Sequence, residues 1–235
     1  MLIVGALRLK NEARWIKRCL RSLLPICDRI IVLDDHSTDG TPDLAVAIAP
    51  VNIDVIDSPF EGLDEVRDKN FLLDVCRSSH EPDWVVMIDG DEELSDPHEL
   101  LQAMQSTKAR ALAMRVLYLW DRPDQIRIDG VYASLTRVSA FRPGKERFEP
   151  TGPRGFHCGN APQGIVGRAL VDAPLLHYGY MHRADRLRKY DWYRAQDAGN
   201  VSEDEYRHIV IGDVFPADAQ FRHGGPLVLQ YLSHP

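Results

Sequence analysis

The first 120 residues alternate two hydrophobic patterns. Short apolar runs predict strands, and the run at 2–7 is continuous, which is typical of a strand buried on both faces. Segments whose apolar positions recur every three to four residues predict helices between these strands. Alternating strands and helices predict a mostly parallel, Rossmann-like sheet flanked by helices. The predicted strands are 2–7, 29–33, 51–56, 84–88 and 110–120, and the predicted helices begin near 11, 41, 64 and 96.

Capping residues mark the predicted helix starts. Asn11 is expected to cap the first helix, and Thr41 a short helix with Pro42 at its first position. Asp96, followed three residues later by Glu99, forms a capping box.

Beyond residue 120 the chain becomes rich in proline, glycine and arginine, which predicts a smaller mixed region. Short strands are expected at 130–136, 138–141 and 166–176, and a charged helix at 183–198. We therefore expect a single domain over 1–235 with three parts, divided after residues 120 and 182, the last being a helical extension.

Composition narrows the functional classes. The chain of 235 residues is 44% hydrophobic and 27% charged, which excludes wholesale disorder. A net charge of −7 argues against general nucleic-acid binding. The four cysteines are far apart in sequence, which favours buried free thiols over disulfides or a zinc site. No stretch is long and apolar enough to predict a membrane span, so we expect a cytoplasmic protein, with peripheral contact at the inner membrane surface left open.

Candidate chemistry follows the ends of the predicted strands, where open parallel sheets bind ligands. Asp89-Gly90-Asp91 ends a buried strand, and its hard oxygen ligands suit Mg²⁺ or Mn²⁺. A solvated acidic turn is the commoner explanation of an isolated D-x-D, but its place at a strand end favours the metal site. Basic or acidic residues also follow the first and second predicted strands: Arg8, Lys10, Asp34 and Asp35.

Three motifs in this order resemble the family 2 glycosyltransferases of the GT-A fold, in the bacterial branch that begins with KNE. They are Lys10-Asn11-Glu12, IVLDDHSTDGT at 31–41 and DWVVMIDGDE at 83–92. The resemblance covers about 1–120, and 177–180 with the following helix resembles a later segment of that branch. It implies a nucleotide-sugar-binding half at 1–120 and an acceptor-side half at 121–182.

The resemblance implies a metal-dependent, inverting transfer of a sugar from a UDP-, dTDP- or GDP-linked donor to a hydroxyl. The acceptor would be a glycan, a lipid-linked glycan or a surface polysaccharide. Asp89 would face the ribose or a metal-bound water, Asp91 would ligate Mn²⁺ or Mg²⁺, and His177 is a candidate third ligand. The residues expected to hold the nucleotide are Arg8, Lys10, Asp35, Arg67 and Asn70.

Inversion requires a base that takes the proton of the acceptor hydroxyl. Branch members carry a His-Glu pair where this chain has His157-Cys158, so the base stays open among Glu149, Asp129 and His157. Two other functions also stay open: a nucleotidyltransferase acting on a sugar phosphate, against which the absence of glycine in the first loop argues, and a non-catalytic nucleotide-binding relative.

Overall fold

The computed structural model describes residues 1–151, 158–196 and 206–232, without the side chain of residue 196. They form two compact units. The first comprises Met1–Met114 and Thr136–Pro174, and the second comprises Arg115–Leu135 and Leu175–Pro235. This division differs from the predicted three-part organisation with divisions at 120 and 182.

The helices and strands are numbered along the chain. The α-helices are α1 (Ile16–Leu23), α2 (Thr41–Val46), α3 (Glu65–His80), α4 (Pro97–Ser106) and α5 (Arg183–Gln196). The strands are β1 (Ile3–Leu9), β2 (Arg29–Asp34), β3 (Ile53–Asp57), β4 (Trp84–Met87), β5 (Glu92–Leu94), β6 (Ala111–Trp120), β7 (Arg122–Arg127), β8 (Thr136–Phe141), β9 (Arg168–Leu170), β10 (Leu175–His177) and β11 (Leu229–Tyr231).

The sheet of the first unit runs in the order β8-β4-β1-β2-β3. Strand β1 is parallel to both β4 and β2, and β2 is parallel to β3, whereas β8 is antiparallel to β4. The predicted mixed α/β fold with a mostly parallel sheet is therefore confirmed. Because the carboxyl ends of β4, β1 and β2 lie at one edge, the loops after these strands share that edge.

The core of the first unit packs against the strands that end at this edge. Apolar side chains of β1, β2 and β4 pack with α3, and all of them are almost completely buried. Central strands covered on both faces hold their backbone in place, so the polar residues at their ends start from fixed positions. The packed side chains include Val4, Ile31, Leu33, Leu72, Leu73, Val85 and Met87.

Of the three predicted caps, Asp96 is confirmed, whereas Asn11 and Thr41 are wrong. The side chains of Asp64 and Asp96 accept hydrogen bonds from backbone N–H groups in the first turns of α3 and α4. Asn11 does not cap α1. It has a positive φ of 56°, and its side-chain oxygen accepts the backbone N–H of Thr38 at 2.8 Å. Thr41 is the first residue of α2, and Gly40 precedes it as the cap.

In the second unit, β10 is parallel to β6, whereas β7 is antiparallel to both β6 and β11. The strand predicted at 130–136 is wrong for its first part, because Gly130–Ala133 forms a 3₁₀ turn. Gly130 has a positive φ, and a Cβ there would lie 2.4 Å from the carbonyl oxygen of His223. Only glycine fits this backbone approach.

The C-terminal part differs from the predicted helical extension. Helix α5 lies where a charged helix was predicted, but the described residues 206–232 contain a 3₁₀ turn at Arg207–Val210 and strand β11. The predicted strand at 166–176 is divided into β9 and β10.

The four cysteines are buried free thiols, as predicted. Across the part of the chain that the structure describes, the helices are too short or too polar to span a membrane.

Candidate active site

Arg8 and Asp35 form an ion pair at the carboxyl ends of β1 and β2. The Nη2 group of Arg8 donates to Oδ2 of Asp35 at 2.7 Å. The same guanidinium donates through Nε and Nη2 to Oδ2 of Asp68, at 3.2 Å each. Lys10 adds a second cation, with its Nζ 3.6 Å from Asp35. Three of the predicted nucleotide-binding residues therefore lie together.

Asp68 connects this pair to Arg67. Its other oxygen, Oδ1, accepts from Nε of Arg67 at 2.9 Å. The guanidinium of Arg67 also donates to the carbonyl of Gly62 at 2.8 Å and lies 4.5 Å from the centre of the Phe60 ring. Asp68 is fully buried, and its two carboxylate oxygens hold the guanidinium groups of Arg8 and Arg67 in place. Nothing in the sequence pattern singled out Asp68.

The residues Arg8, Lys10, Asp35, Arg67 and Asp68 are called the donor-side network below. Asn70, the remaining nucleotide-binding candidate, holds the chain at Phe148. Its Nδ2 donates to the Phe148 carbonyl at 3.0 Å, and its Oδ1 accepts the Phe148 N–H at 2.9 Å.

Asp34, and not its neighbour Asp35, stabilises the turn after β2. Oδ2 of Asp34 accepts the backbone N–H of Ser37 at 2.9 Å and so caps the turn after β2. Asp35 is therefore not needed for that turn, and its carboxylate contacts Arg8 instead.

Asp89, Asp91 and Glu92 follow β4 and are called the acidic tip below. Arg137 on β8 binds two of them, with Nη1 donating to Oδ2 of Asp89 at 3.0 Å and Nη2 donating to Glu92. The backbone N–H of Asp89 also donates to Oε2 of Glu92 at 3.0 Å. The tip therefore contains a cation that the sequence analysis did not single out.

A buried polar chain reaches Asp89 from α3. Lys69 donates to Oδ1 of Asn160 at 2.9 Å, and Nδ2 of Asn160 is 3.4 Å from Oδ1 of Asp89. Lys69 also donates to the carbonyls of Cys158 and Gly159. These contacts hold the segment at 158–160 against the tip, which sequence spacing did not indicate.

Gly90 packs against the KNE motif. A Cβ at Gly90 would lie 2.8 Å from Cγ of Glu12 and 3.1 Å from its Cβ.

The thiol of Cys19 lies near the acidic tip. Burial raises the pKa of this thiol well above its ordinary value, and the nearby carboxylates of the tip and Glu12 raise it further. This thiol therefore stays protonated, and it donates to the carbonyl of Asp89.

The acidic tip has the donor atoms that suit a divalent cation. Asp89 and Asp91 flank Gly90, and the side chain of Asp89 is 39% exposed. Carboxylate oxygens are ligands that Mg²⁺ and Mn²⁺ prefer, and two of them leave further coordination positions open. No group of three His, Cys, Asp or Glu side chains that could hold a metal occurs within 1–151, 158–196 and 206–232. Within these residues, the protein therefore supplies fewer than three such ligands to a metal ion.

His177 belongs to the second unit. It ends β10 and is buried among aromatic rings. Its ring centre lies 4.7 Å from that of Tyr118 and 5.1 Å from that of Tyr180. Metal ligation by His177 stays a prediction.

Asp129, a candidate base, is held by four donors in the second unit. The Nε and Nη2 groups of Arg127 donate to its two oxygens at 2.8 Å each, and the N–H groups of Gly225 and Val228 donate at 2.6 and 3.1 Å. Burial alone would raise the pKa of Asp129, but these hydrogen bonds outweigh it and lower the pKa. Such a carboxylate is poorly suited to taking a proton.

The other two base candidates are Glu149 and His157. Glu149 is exposed in the first unit, with its backbone N–H donating to Oε1 of Gln163 at 2.6 Å and its carbonyl accepting from Nε2 of Gln163 at 2.8 Å. His157 lies outside the described residues.

Comparison with known proteins identifies relatives that are named as glycosyltransferases. The family model described as glycosyl transferase family 2 matches residues 9–161. An uncharacterized glycosyltransferase of Rickettsia bellii is 33% identical over 134 residues, which are 55% of this chain and 42% of that protein. The lipopolysaccharide core biosynthesis glycosyltransferase LpsC of Rhizobium meliloti is 26% identical over 91% of this chain and 78% of its own length.

A solved structure supports the fold. The crystal structure of residues 1–349 of S. aureus TarS has a TM-score of 0.56 and 14% identity, covering 89% of this chain and 70% of that one. The chain spans less than half the length of the Rickettsia bellii relative.

Proposed function

Since this chain belongs to glycosyl transferase family 2, we propose that it is a metal-dependent enzyme that transfers a sugar from a nucleotide-sugar donor to an acceptor hydroxyl. One observation carries the proposal. Arg8, Lys10 and Asp35 of the donor-side network lie at the carboxyl ends of β1 and β2, and the acidic tip follows the neighbouring parallel strand β4. Ligands of open parallel sheets bind outside this edge.

The donor-side network supplies groups that a nucleoside diphosphate requires. Asp35 accepts hydrogen bonds, so it can bind a base N–H such as N3–H of uracil or thymine. The cations of Arg8, Lys10 and Arg67 favour a ligand that carries negative charge. These properties support a UDP-, dTDP- or GDP-linked donor.

The acidic tip supports the chemical step. When the sugar leaves, negative charge grows on the nucleoside diphosphate. Asp89 and Asp91 are the residues that would hold Mn²⁺ or Mg²⁺, and a divalent cation supplies the positive charge that stabilises such a leaving group. His177 is proposed as a third ligand on the family resemblance alone.

We assign the base to Glu149 or His157 instead of Asp129. Both oxygens of Asp129 accept short hydrogen bonds, and its pKa is lowered. Glu149 is an exposed carboxylate that can take a proton from an acceptor hydroxyl on the face opposite the diphosphate. Attack from that face would invert the anomeric configuration. Replacement of Glu149 or His157 by Gln separates the two candidates, because loss of the base should reduce transfer while donor binding is retained.

The acceptor that we propose is a glycan, a lipid-linked glycan or a surface polysaccharide. LpsC, which aligns with 91% of this chain, is named for lipopolysaccharide core biosynthesis. Such an acceptor would place the enzyme in the cytoplasm, including the inner membrane surface.

Binding of nucleoside diphosphates to the full chain tests the proposal. Isothermal titration calorimetry with UDP, dTDP and GDP, each with and without Mn²⁺, should detect at least one that binds and that binds more tightly with the metal. Asp35→Asn should weaken this binding roughly 10- to 100-fold, because a hydrogen bond to a charged group contributes about 1.5–3 kcal/mol. Asp74→Asn, on the exposed side of α3, is the matched control and should bind like the wild type. If none of the three diphosphates binds, the proposed function is wrong.

A further inference from the structure

The guanidinium of Arg137 occupies the acidic tip in the structure. It binds Asp89 at 3.0 Å and also Glu92, whose side chain is fully buried. Two carboxylates so close together repel each other unless a cation lies between them. Arg137 is the positive charge that contacts both carboxylates.

Each carboxylate oxygen of Asp89 has a hydrogen-bonding neighbour in this arrangement. Its Oδ2 accepts from Arg137, and its Oδ1 is 3.4 Å from the amide of Asn160. A metal ion that binds Asp89 gains less when an arginine already neutralises this carboxylate, and it is also repelled by that arginine.

We propose that Arg137 competes with the divalent cation for Asp89, so that the acidic tip binds metal weakly until a nucleoside diphosphate is present. The diphosphate offers the guanidinium a new pair of anionic oxygens, which Arg binds in a bidentate manner. Arg137 thereby becomes a positioning residue that makes metal binding depend on the donor. The order of events rests on the proposed function, but the competition for Asp89 concerns the nucleotide-free protein alone.

Two substitutions test this competition. Arg137→Met removes the cation but retains a long apolar side chain, and Arg137→Lys retains the charge without the fork that reaches two carboxylates. Arg110→Met is the matched control, because it changes the net charge equally and breaks an ion pair with Glu146 outside the tip. Far-UV circular dichroism and thermal unfolding establish that each variant is folded.

The measurement is the affinity of each nucleotide-free protein for Mn²⁺, read from the electron paramagnetic resonance signal of the free ion. Arg137→Met should bind Mn²⁺ roughly tenfold more tightly than the wild type, as expected for removal of an adjacent like charge. Arg137→Lys should lie between them, and Arg110→Met should match the wild type. If Arg137→Met does not fold, the Mn²⁺ affinity of Arg137→Lys still tests the competition.

Unchanged or weaker Mn²⁺ binding by folded Arg137 variants would overturn the proposed competition. This result differs from failure of the proposed function, in which wild-type protein binds no nucleoside diphosphate whatever its affinity for Mn²⁺.

Discussion

Asp89 and Asp129 occupy similar local positions but have different surroundings. Each lies two residues beyond the end of a strand, β4 or β7, and each pairs with an arginine. Asp129 is 7% exposed and accepts four hydrogen bonds, two of them from backbone N–H groups. The side chain of Asp89 is 39% exposed.

This difference separates a structural carboxylate from one that can bind a ligand. All four donors to Asp129 belong to its own unit, and they tie β7 to the segment around 225–228. Arg127 additionally lies 4.1 Å from the centre of the Tyr132 ring. A carboxylate in such surroundings gains little from a ligand, whereas the exposed edge of Asp89 remains accessible to one.

The largest expected effect is loss of stability in Asp129→Asn. The substitution leaves the buried Arg127 without its counter-ion, which typically costs about 3–5 kcal/mol. The free energy of unfolding, measured by urea denaturation, should fall by that amount. Asp124→Asn breaks the exposed pair with Arg122 and should cost less than about 1 kcal/mol. Equal costs for the two variants would contradict the structural role of Asp129.

Asp89→Asn should have the opposite profile. We expect hydrolysis of the nucleotide-sugar donor to fall on the order of 10²–10³-fold, as with the loss of other preorganised electrostatic groups. Its thermal unfolding should stay close to that of the wild type, because the side chain is partly exposed. Turnover is measured as nucleoside diphosphate released. If stability is lost while turnover is unchanged, Asp89 has the same structural role as Asp129.

Asp68→Asn should have a smaller effect on donor binding, together with some loss of stability because its carboxylate is fully buried. The amide cannot hold both Arg8 and Arg67 as the carboxylate does, so the two cations lose their fixed positions. We expect nucleoside diphosphate affinity to fall about tenfold, in line with the loss of one charged hydrogen bond. Isothermal titration calorimetry, with Asp74→Asn as the control variant, measures this affinity. Unaltered affinity would exclude a positioning role for Asp68.

The pH dependence of stability should give the smallest effect. Because the pKa of Asp129 is lowered in the folded protein, its stabilisation is present above the unfolded pKa of about 3.9 and is lost as the pH falls through the lower folded value. The stability difference between wild type and Asp129→Asn should therefore shrink from pH 7 to pH 3. Urea midpoints across this range measure it, and a constant difference would contradict the lowered pKa.

Much of the first unit was predictable because its signals are local. Apolar runs and a capping residue such as Asp96 act within a few residues of the elements that they define. The second unit was less predictable. The predicted strand starting at Gly130 became a 3₁₀ turn because of contact with the backbone of His223, which is distant in sequence.

The sequence by itself determined which side chains follow the parallel strands, since the apolar pattern identifies β1, β2 and β4 and the residues after them include Asp35 and Asp89. Only the tertiary structure decided their partners. Asp68, Arg137 and Asn160 reach the site from α3, β8 and the segment at 158–160, all distant along the chain. Ion pairs depend on distances between elements, and spacing along a chain specifies these distances only within one helix or strand.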